Sequence, residues 1–197
     1  MATRSTGRPR DPRIEQAALV AVRELLAEGG YAAVTGAAVA SRAGTTKAAL
    51  YRRWPALPHL VHEAVFPDEL ALGADVDRDT DLGDVAAHLV RGTRDALCTP
   101  AAAAALPGLL AEAGTYPDLH ATMIGRFAGV LAALDERLRH AVADGEAHPD
   151  VRAADLVQGV VGTVIAGLLL TPGALATSLD DAWADRLTAH VLRSLRP

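Results

Sequence analysis

Between Thr45 and Arg53 the chain reads TTKAALYRR. These side chains suit contact with a polyanion. Lys47, Arg52 and Arg53 bring cations, Thr45 and Thr46 bring short hydroxyls, and Tyr51 brings a phenol able to reach a phosphate oxygen. Ala48 and Ala49 are small enough to let a backbone come close to base edges, and their methyls can meet that of thymine. A short helix with a small first turn and a cationic rim fits a DNA major groove.

Such a set works only if something rigid aims it. Thr46 is placed to cap the helix that carries the cations, because its hydroxyl accepts a hydrogen bond from a free first-turn N–H. Thr35 caps a preceding helix in the same way. Val39, Ala40 and Ala43 then recur at helical spacing, and Gly44 supplies the left-handed residue that ends that helix. Leu50 and Trp54 give the second helix its buried side. Thr35 to Trp54 therefore reads as two short helices around a tight turn.

This stretch resembles the helix-turn-helix of TetR/AcrR-type transcriptional regulators, whose pattern runs T-x-x-x-I-A-x-x-A-G-V-S-x-G-x-L-Y-x-x-F. Thr35, Val39, Ala40, Ala43, Gly44, Thr46, Leu50 and Tyr51 stand at the matching positions. Tyr51 to Pro55, YRRWP, is similar to the variant of one large subgroup. Thr45 replaces the usual Val, Ala48 the usual Gly, and Ala56-Leu57 the usual Ser/Asn-Lys. The last change removes a cation that in the family often touches phosphate. The resemblance covers roughly the first third of the chain.

The charge distribution agrees with a nucleic-acid end and an opposite end. The 197 residues carry a net charge of −5, yet residues 1–66 hold nine Lys/Arg against five Asp/Glu, a net of +4. Residues 67–197 carry −9. A basic head on an acidic body turns one end toward DNA. Met1 to Arg10 reads as an arm, and its Gly-Arg-Pro-Arg places Arg8 and Arg10 on an extended segment suited to a minor groove or simply to solvent.

Half the residues are apolar but only 4% are aromatic, so the cores must be Ala, Leu and Val, and strong helix formers dominate. The fold expected is all-α, with about nine helices. A three-helix head with its arm occupies 1–66, and a helical bundle for ligand binding and dimerisation occupies 67–197. The first helix opens at Asp11-Pro12 and stops at Gly29-Gly30. The fourth starts near Ala56-Leu57. The fifth carries Leu82, Val85, Ala86, Leu89, Val90, Thr93 and Ala96 on one face. The sixth opens at Pro100 and should kink or break at Pro107-Gly108. The seventh should run unbroken from Pro117 to Gly145. The eighth, Asp150 to Leu170, is apolar all round, with Gly159, Gly162, Thr163, Ala166 and Gly167 as a stripe of small residues. An all-round apolar helix asks for burial on two sides, by a partner chain or by the ninth helix, which follows Ser178 and shows Trp183, Leu187, Val191 and Leu195.

The TetR resemblance implies that the last two helices pair with their copies in a homodimer. It also implies a double-stranded DNA operator as partner and a small-molecule effector bound in the body. Phe66, Leu89, Met123, Phe127 and Val161 are candidate apolar liners for that effector, with His88 and Arg91 as polar contacts. Thr35, Tyr51, Arg52 and Arg53 are candidates for phosphate, and Thr45, Thr46, Lys47 and Ala48 for the groove. Release of a repressor by a mostly apolar ligand is the expected mechanism. A ligand-independent DNA-binding protein, an activator and a helical enzyme are the alternatives.

Other chemistry is not evident. His59 and His62 read as surface histidines with no ligand set for a metal, and no phosphate loop, dinucleotide fingerprint or nucleophile elbow occurs. No cofactor and no catalytic residue is expected. The lone Cys98 reads as a small buried hydrophobe. The polar, basic start lacks an apolar signal region, and the apolar run Gly159 to Leu170 is short for a bilayer. A cytoplasmic protein without a membrane partner is the expectation.

Overall fold

A computed structural model describes residues 12–66, 76–170 and 179–197. Arg8 and Arg10 lie outside the described residues, as does the stretch 67–75 where the sequence divides head from body. The described residues form ten helices and no strand. They are α1 (Pro12–Ala33), α2 (Gly36–Arg42), α3 (Lys47–Tyr51), α4 (Leu57–Val65), α5 (Leu82–Leu97), α6 (Pro100–Ala113), α7 (Pro117–Gly125), α8 (Ala128–Ala143), α9 (Ala153–Leu170) and α10 (Asp181–Leu195).

Local chemistry sets most of these bounds. In α1 the backbone leaves helical geometry at Gly29 and Gly30, where Gly30 takes φ 66°. Asp81, Thr99 and Asp180 cap α5, α6 and α10 through their side chains, accepting from Gly83, Ala102 and Trp183 N–H respectively. At the end of α8, Glu146 N–H bonds to Ala141 O at 2.8 Å and Gly145 N–H to Val142 O at 3.2 Å, with Gly145 at φ 75°. That is a Schellman closure.

Two helices depart from their sequence reading. The sixth does not break at Pro107-Gly108, since α6 runs through both. Pro107 forfeits one intrahelical hydrogen bond, a penalty of about 3 kcal/mol in an isolated helix interior. Burial of Ala102, Ala105, Leu106 and Leu109 offsets it. The long seventh helix is instead two. At Arg126 and Phe127 the chain turns, with Phe127 N–H reaching only to Ile124 O at 3.0 Å. Gly125 and Gly129 flank the turn, and glycine weakens a helix interior.

The break lets one apolar stripe serve two cores. The first core joins α1 to α4 with α6 and the start of α7, through Leu26, Leu50, Trp54, Leu60, Leu109 and Leu119. The second joins α5, α8, α9 and α10, through Val85, Val90, Leu134, Leu138, Val160 and Leu195. Arg137, buried to 5% exposure, closes the far end of the second core. Its Nε donates to Thr80 O at 2.7 Å and its Nη2 to Glu146 at 2.9 Å, which ties the entry of α5 to the exit of α8.

Candidate nucleic-acid interface

The helix-turn-helix is built by short-range hydrogen bonds. Thr35 stands in extended geometry, and its Oγ1 accepts from Ala38 N–H at 3.2 Å. The exit of α2 is a second Schellman closure, with Thr45 N–H on Ala40 O at 2.9 Å, Gly44 N–H on Ser41 O at 3.3 Å, and Gly44 at φ 62°. Thr46 follows at once, and its Oγ1 accepts from Ala49 N–H at 3.1 Å. The hydroxyl proton of Thr46 is thereby left for an outside acceptor.

Beneath these caps the unit is anchored. Val39, Leu50 and Trp54 are buried, and Trp54 Nε1 donates to Glu63 on α4 at 2.7 Å. Arg23 on α1 donates to Ala64 O at 2.9 Å. Arg42 grips Glu28 with both terminal nitrogens, at 2.6 and 2.9 Å. That hydrogen bond raises the guanidinium pKa and lowers that of the Glu28 carboxyl. Gly36 lets the Tyr51 ring lie close. A Cβ there would lie 2.7 Å from the Tyr51 hydroxyl, which rests on the first turn of α2.

The exposed side of α3 carries Thr46, Lys47, Ala48, Tyr51 and Arg52, with Thr45 half-buried beside them and Thr35 exposed at the α2 entry. Among the described residues, neither Lys47 nor Arg52 has a carboxylate within ion-pair distance. Arg53 is turned elsewhere. It pairs with Glu15 on α1 and lies over the Trp54 ring at 5.3 Å.

The histidines of α4 are not surface groups. His62 is only 3% exposed, stacked at a tilt on Phe66 at 5.5 Å. The His59 side chain is 14% exposed, meets Tyr116 edge-on at 5.7 Å, and bonds to Asp118 on α7 at 2.9 Å. Burial pushes the Asp118 pKa up, but the hydrogen bond and charge of His59 outweigh it, and the carboxyl lies below its ordinary value. The packing of α7 over α4 buries both rings, and nothing within α4 itself announces that. A groove of about 400 Å³ runs between head and α7, lined by Glu15, Arg53, His59, Glu63, Thr122 and Arg126 among others.

The effector candidates are not gathered at one place. Phe66 and Met123 belong to the first core, and Leu89, Phe127 and Val161 to the second. His88 and Arg91 are exposed, His88 against Asp84 O at 2.7 Å and Arg91 on Asp185 at 2.6 Å. Thr93, absent from the effector candidates, is 1% exposed, and its hydroxyl has no hydrogen-bond partner among the described residues. Cys98 is half-buried, and burial raises its thiol pKa.

The small stripe of α9 faces outward at Gly159, Gly162, Thr163 and Ala166, while Gly167 abuts Leu179 of the same chain. Only 22% of this helix is buried, and its mean hydropathy is 1.8 over 18 residues, the length and composition of a membrane span. Leu169 and Leu170 at its end are 56% and 80% exposed. Trp183 and Leu187 of α10 are half-buried against the second core. Among the described residues no group of His, Cys, Asp or Glu is arranged to hold a metal.

A capped helix-turn-helix presenting free cations on an all-helical body defines a DNA-binding transcriptional regulator. Comparison with known proteins identifies which. Residues 18–64 match the bacterial regulatory proteins of the tetR family, and residues 77–191 match the tetracyclin repressor-like C-terminal domain. The chain belongs to the tetR family. Its fold is that of Salmonella enterica GusR (TM-score 0.67, 21% identity, 95% of this chain and 98% of that one). It is likewise similar to a tetR-family regulatory protein of Rhodococcus RHA1 (0.68, 18%, 93% and 97%). The ketosteroid transcriptional regulator KstR2 of Mycobacterium tuberculosis also shares it (0.62, 19%, 98% and 100%). No curated protein matches the sequence.

Proposed function

We propose that the protein is a homodimeric repressor whose two α3 helices read adjacent major grooves of a palindromic operator. The observation that carries this reading is the exposed face of α3, where Lys47 and Arg52 stand without acidic partners among the described residues on a helix fixed at both ends. Thr46, Lys47 and Ala48 face the bases, with Thr45 at the rim of the groove. Thr35, Tyr51 and Arg52 hold phosphates and set the register. Arg53, paired with Glu15 on the surface in the free protein, can exchange that partner for a phosphate. The arm adds Arg8 and Arg10 as minor-groove cations. Residues 1–66 supply the reading surface, and 67–197 supply dimerisation and response.

The dimer forms on α9 and α10. An apolar helix with four small residues outward lets a second backbone come close, and a Cβ added at Gly159 or Gly162 meets nothing among the described residues. The effector is mostly apolar, because the second core that holds the candidates Leu89, Phe127 and Val161 is aliphatic and would leave a buried charge unpaired, at several kcal/mol. The unpartnered Thr93 hydroxyl offers such a ligand one hydrogen bond.

The deciding experiment uses a duplex recovered by the protein from a randomised pool. Lys47→Ala should weaken binding to that duplex by about 1–3 kcal/mol and erode preference over random DNA. Equal loss on both would make Lys47 a phosphate contact only. A thermal-shift screen over compounds of graded polarity tests the effector, and multiply charged metabolites as best stabilisers and releasers of DNA would overturn that part.

A further inference from the structure

One acidic side chain stands among the cations beside the reading helix. Glu15 lies in the first turn of α1 and pairs with Arg53, just past the end of α3. A carboxylate in a first turn suits the helix dipole, but that alone asks for no cationic partner. The pair borders a notch of about 130 Å³ between α1 and α3, lined also by Ile14, Ala49, Arg52 and Trp54. Arg52 shares the notch and stays outside the pair.

The Arg53 guanidinium is set from two sides. It lies over the Trp54 ring at 5.3 Å, and Trp54 is itself 4% exposed and bonded to Glu63. It also meets the Glu15 carboxylate. A carboxylate and a phosphate offer a guanidinium the same thing, a fork of two oxygens. Glu15 therefore fills the place at Arg53 that a phosphate would take. The two side chains are 35% and 26% exposed, so they can part into water. Arg42, also paired in the head, is held differently. Both its terminal nitrogens are on Glu28, and Glu24 stands at 3.9 Å, so two carboxylates grip it. At Arg53 Glu15 is the one carboxylate within ion-pair distance among the described residues, and a phosphate can replace it.

That replacement has a cost. Placing Arg53 on DNA first breaks the Glu15 pair, once in each head of a dimer, and leaves a bare carboxylate beside a polyanion. Lys47 and Arg52 carry no such cost. We infer that Glu15 is an internal stand-in for phosphate, which competes with DNA for Arg53 and sets the affinity below what the cations of the head alone would give. This rests on the reading of α3 as the DNA-facing helix. An attenuated grip suits a regulator that must leave its operator, because a smaller differential affinity of an effector then suffices to release it.

A double-mutant cycle tests the competition on the duplex recovered from the randomised pool. Glu15→Gln keeps the shape of the side chain and removes its charge. It should tighten binding by about fivefold for the dimer, with the gain shrinking as salt rises. In the Arg53→Gln background the same substitution should gain less than about twofold. An equal gain in both backgrounds makes Glu15 a general negative charge and overturns the inference, and so does no gain in either. If Arg53→Gln does not fold, Arg53→Met, which keeps a cover over Trp54, takes its place.

The exchange of partners is read from the guanidinium NMR signals of Arg53, assigned by their loss in the Arg53 variant. In the free protein Glu15→Gln should shift them. On the duplex, wild type and Glu15→Gln should give the same signals, because both then hold phosphate. Signals untouched by Glu15→Gln in the free protein, or as different on DNA as off it, overturn the inference. If no duplex is selected at all, the operator reading fails, while the free-protein signals and the same cycle on random duplex still decide the role of Glu15.

Discussion

The two cores hold together in different ways. The first contains rings and directional bonds. Trp54 is tied to Glu63, Arg23 to the Ala64 carbonyl and His59 to Asp118, while Tyr31 is seated in the notch at Gly108. Each of these crosses from one helix to another and fixes an angle. The second is Leu, Val and Ala, with Phe127 and Trp183 only at its margin and a single buried directional tie described, Arg137 to the Thr80 carbonyl and Glu146 at its far end. Its inter-helix ion pairs, Arg91–Asp185 and Arg94–Asp181, sit outside the core on the α5–α10 flank. Aliphatic side chains pack well in several registers, whereas a bonded indole or imidazole accepts one. The lesson is a division of labour, in which the unit that must aim a helix is pinned and the unit that must respond is not.

The sharpest way to break this comparison is to hollow each core. Leu109 of α6 and Leu134 of α8 are at most 1% exposed, and truncation of either to alanine should cost about 2–5 kcal/mol in denaturant unfolding. Leu109→Ala should lose operator binding as temperature rises well before Leu134→Ala does, although α6 carries no DNA-facing residue. Binding titrations against temperature on both variants measure this. Equal losses mean that the head is not the pinned unit.

A smaller effect probes the responsive side. Gly162→Leu on the outward face of α9 should push two close backbones apart, an overpacking cost of about 1–3 kcal/mol taken from the dimer. Sedimentation should show monomer at concentrations where the wild type is dimeric, with α1 to α4 still folded. An unchanged, folded dimer places the interface elsewhere.

What was legible beforehand follows the same line between near and far. Caps at Thr35 and Thr46, the turn at Gly44 and the stops at Gly29-Gly30 and Gly145 depend on neighbours within a few residues, and each could be read from the chain. The break at Arg126-Phe127 could not, because the stripe Leu119, Met123, Phe127, Val130 keeps helical period across it. Only the division of that stripe between two cores reveals the turn. The close seat of Gly108 against the Tyr31 ring joins α6 to a residue far away in the sequence. Burial of His59 and His62 comes from α7, and that of Arg137 from the Thr80 carbonyl and Glu146. Long-range partners of polar side chains leave no periodic trace.

At the scale of about 1 kcal/mol the caps themselves can be compared. Thr35→Ala frees the Ala38 N–H and Thr46→Ala the Ala49 N–H, and each should lower stability by that amount. Thr46→Ala should also lower selectivity among duplexes, because its hydroxyl faces the groove. Thr35→Ala should weaken all duplexes alike. Competition binding separates the two, and matching selectivity profiles would demote Thr46 to a cap.

The smallest expected effect comes from acid, and it too divides the units. In the head, Glu28 is held below its ordinary value by the Arg42 hydrogen bond and Asp118 by His59, and both bonds join separate helices. In the body, Glu136 is lowered by Arg139 and His140 of its own helix, and Asp77 by Thr80 of its own turn. A carboxyl with a depressed folded-state pKa contributes stability above its unfolded value and loses it as pH falls through the folded one. Acidification from neutral to about pH 3.5, below the ordinary carboxylate range, should therefore loosen inter-helix ties in the head and only local ones in the body. All four carboxylates are exposed, so the effect is modest and weakens with salt. The two tryptophans fall one to each core, Trp54 and Trp183, so Trp183→Phe leaves a reporter of the head and Trp54→Phe a reporter of the body. The denaturant midpoint read from Trp54 should drop further in acid than that read from Trp183, and Glu28→Gln should remove part of the difference. If the two midpoints fall together, the inter-helix carboxylates of the head confer nothing that the local ones of the body do not, and its pinning rests on apolar packing alone.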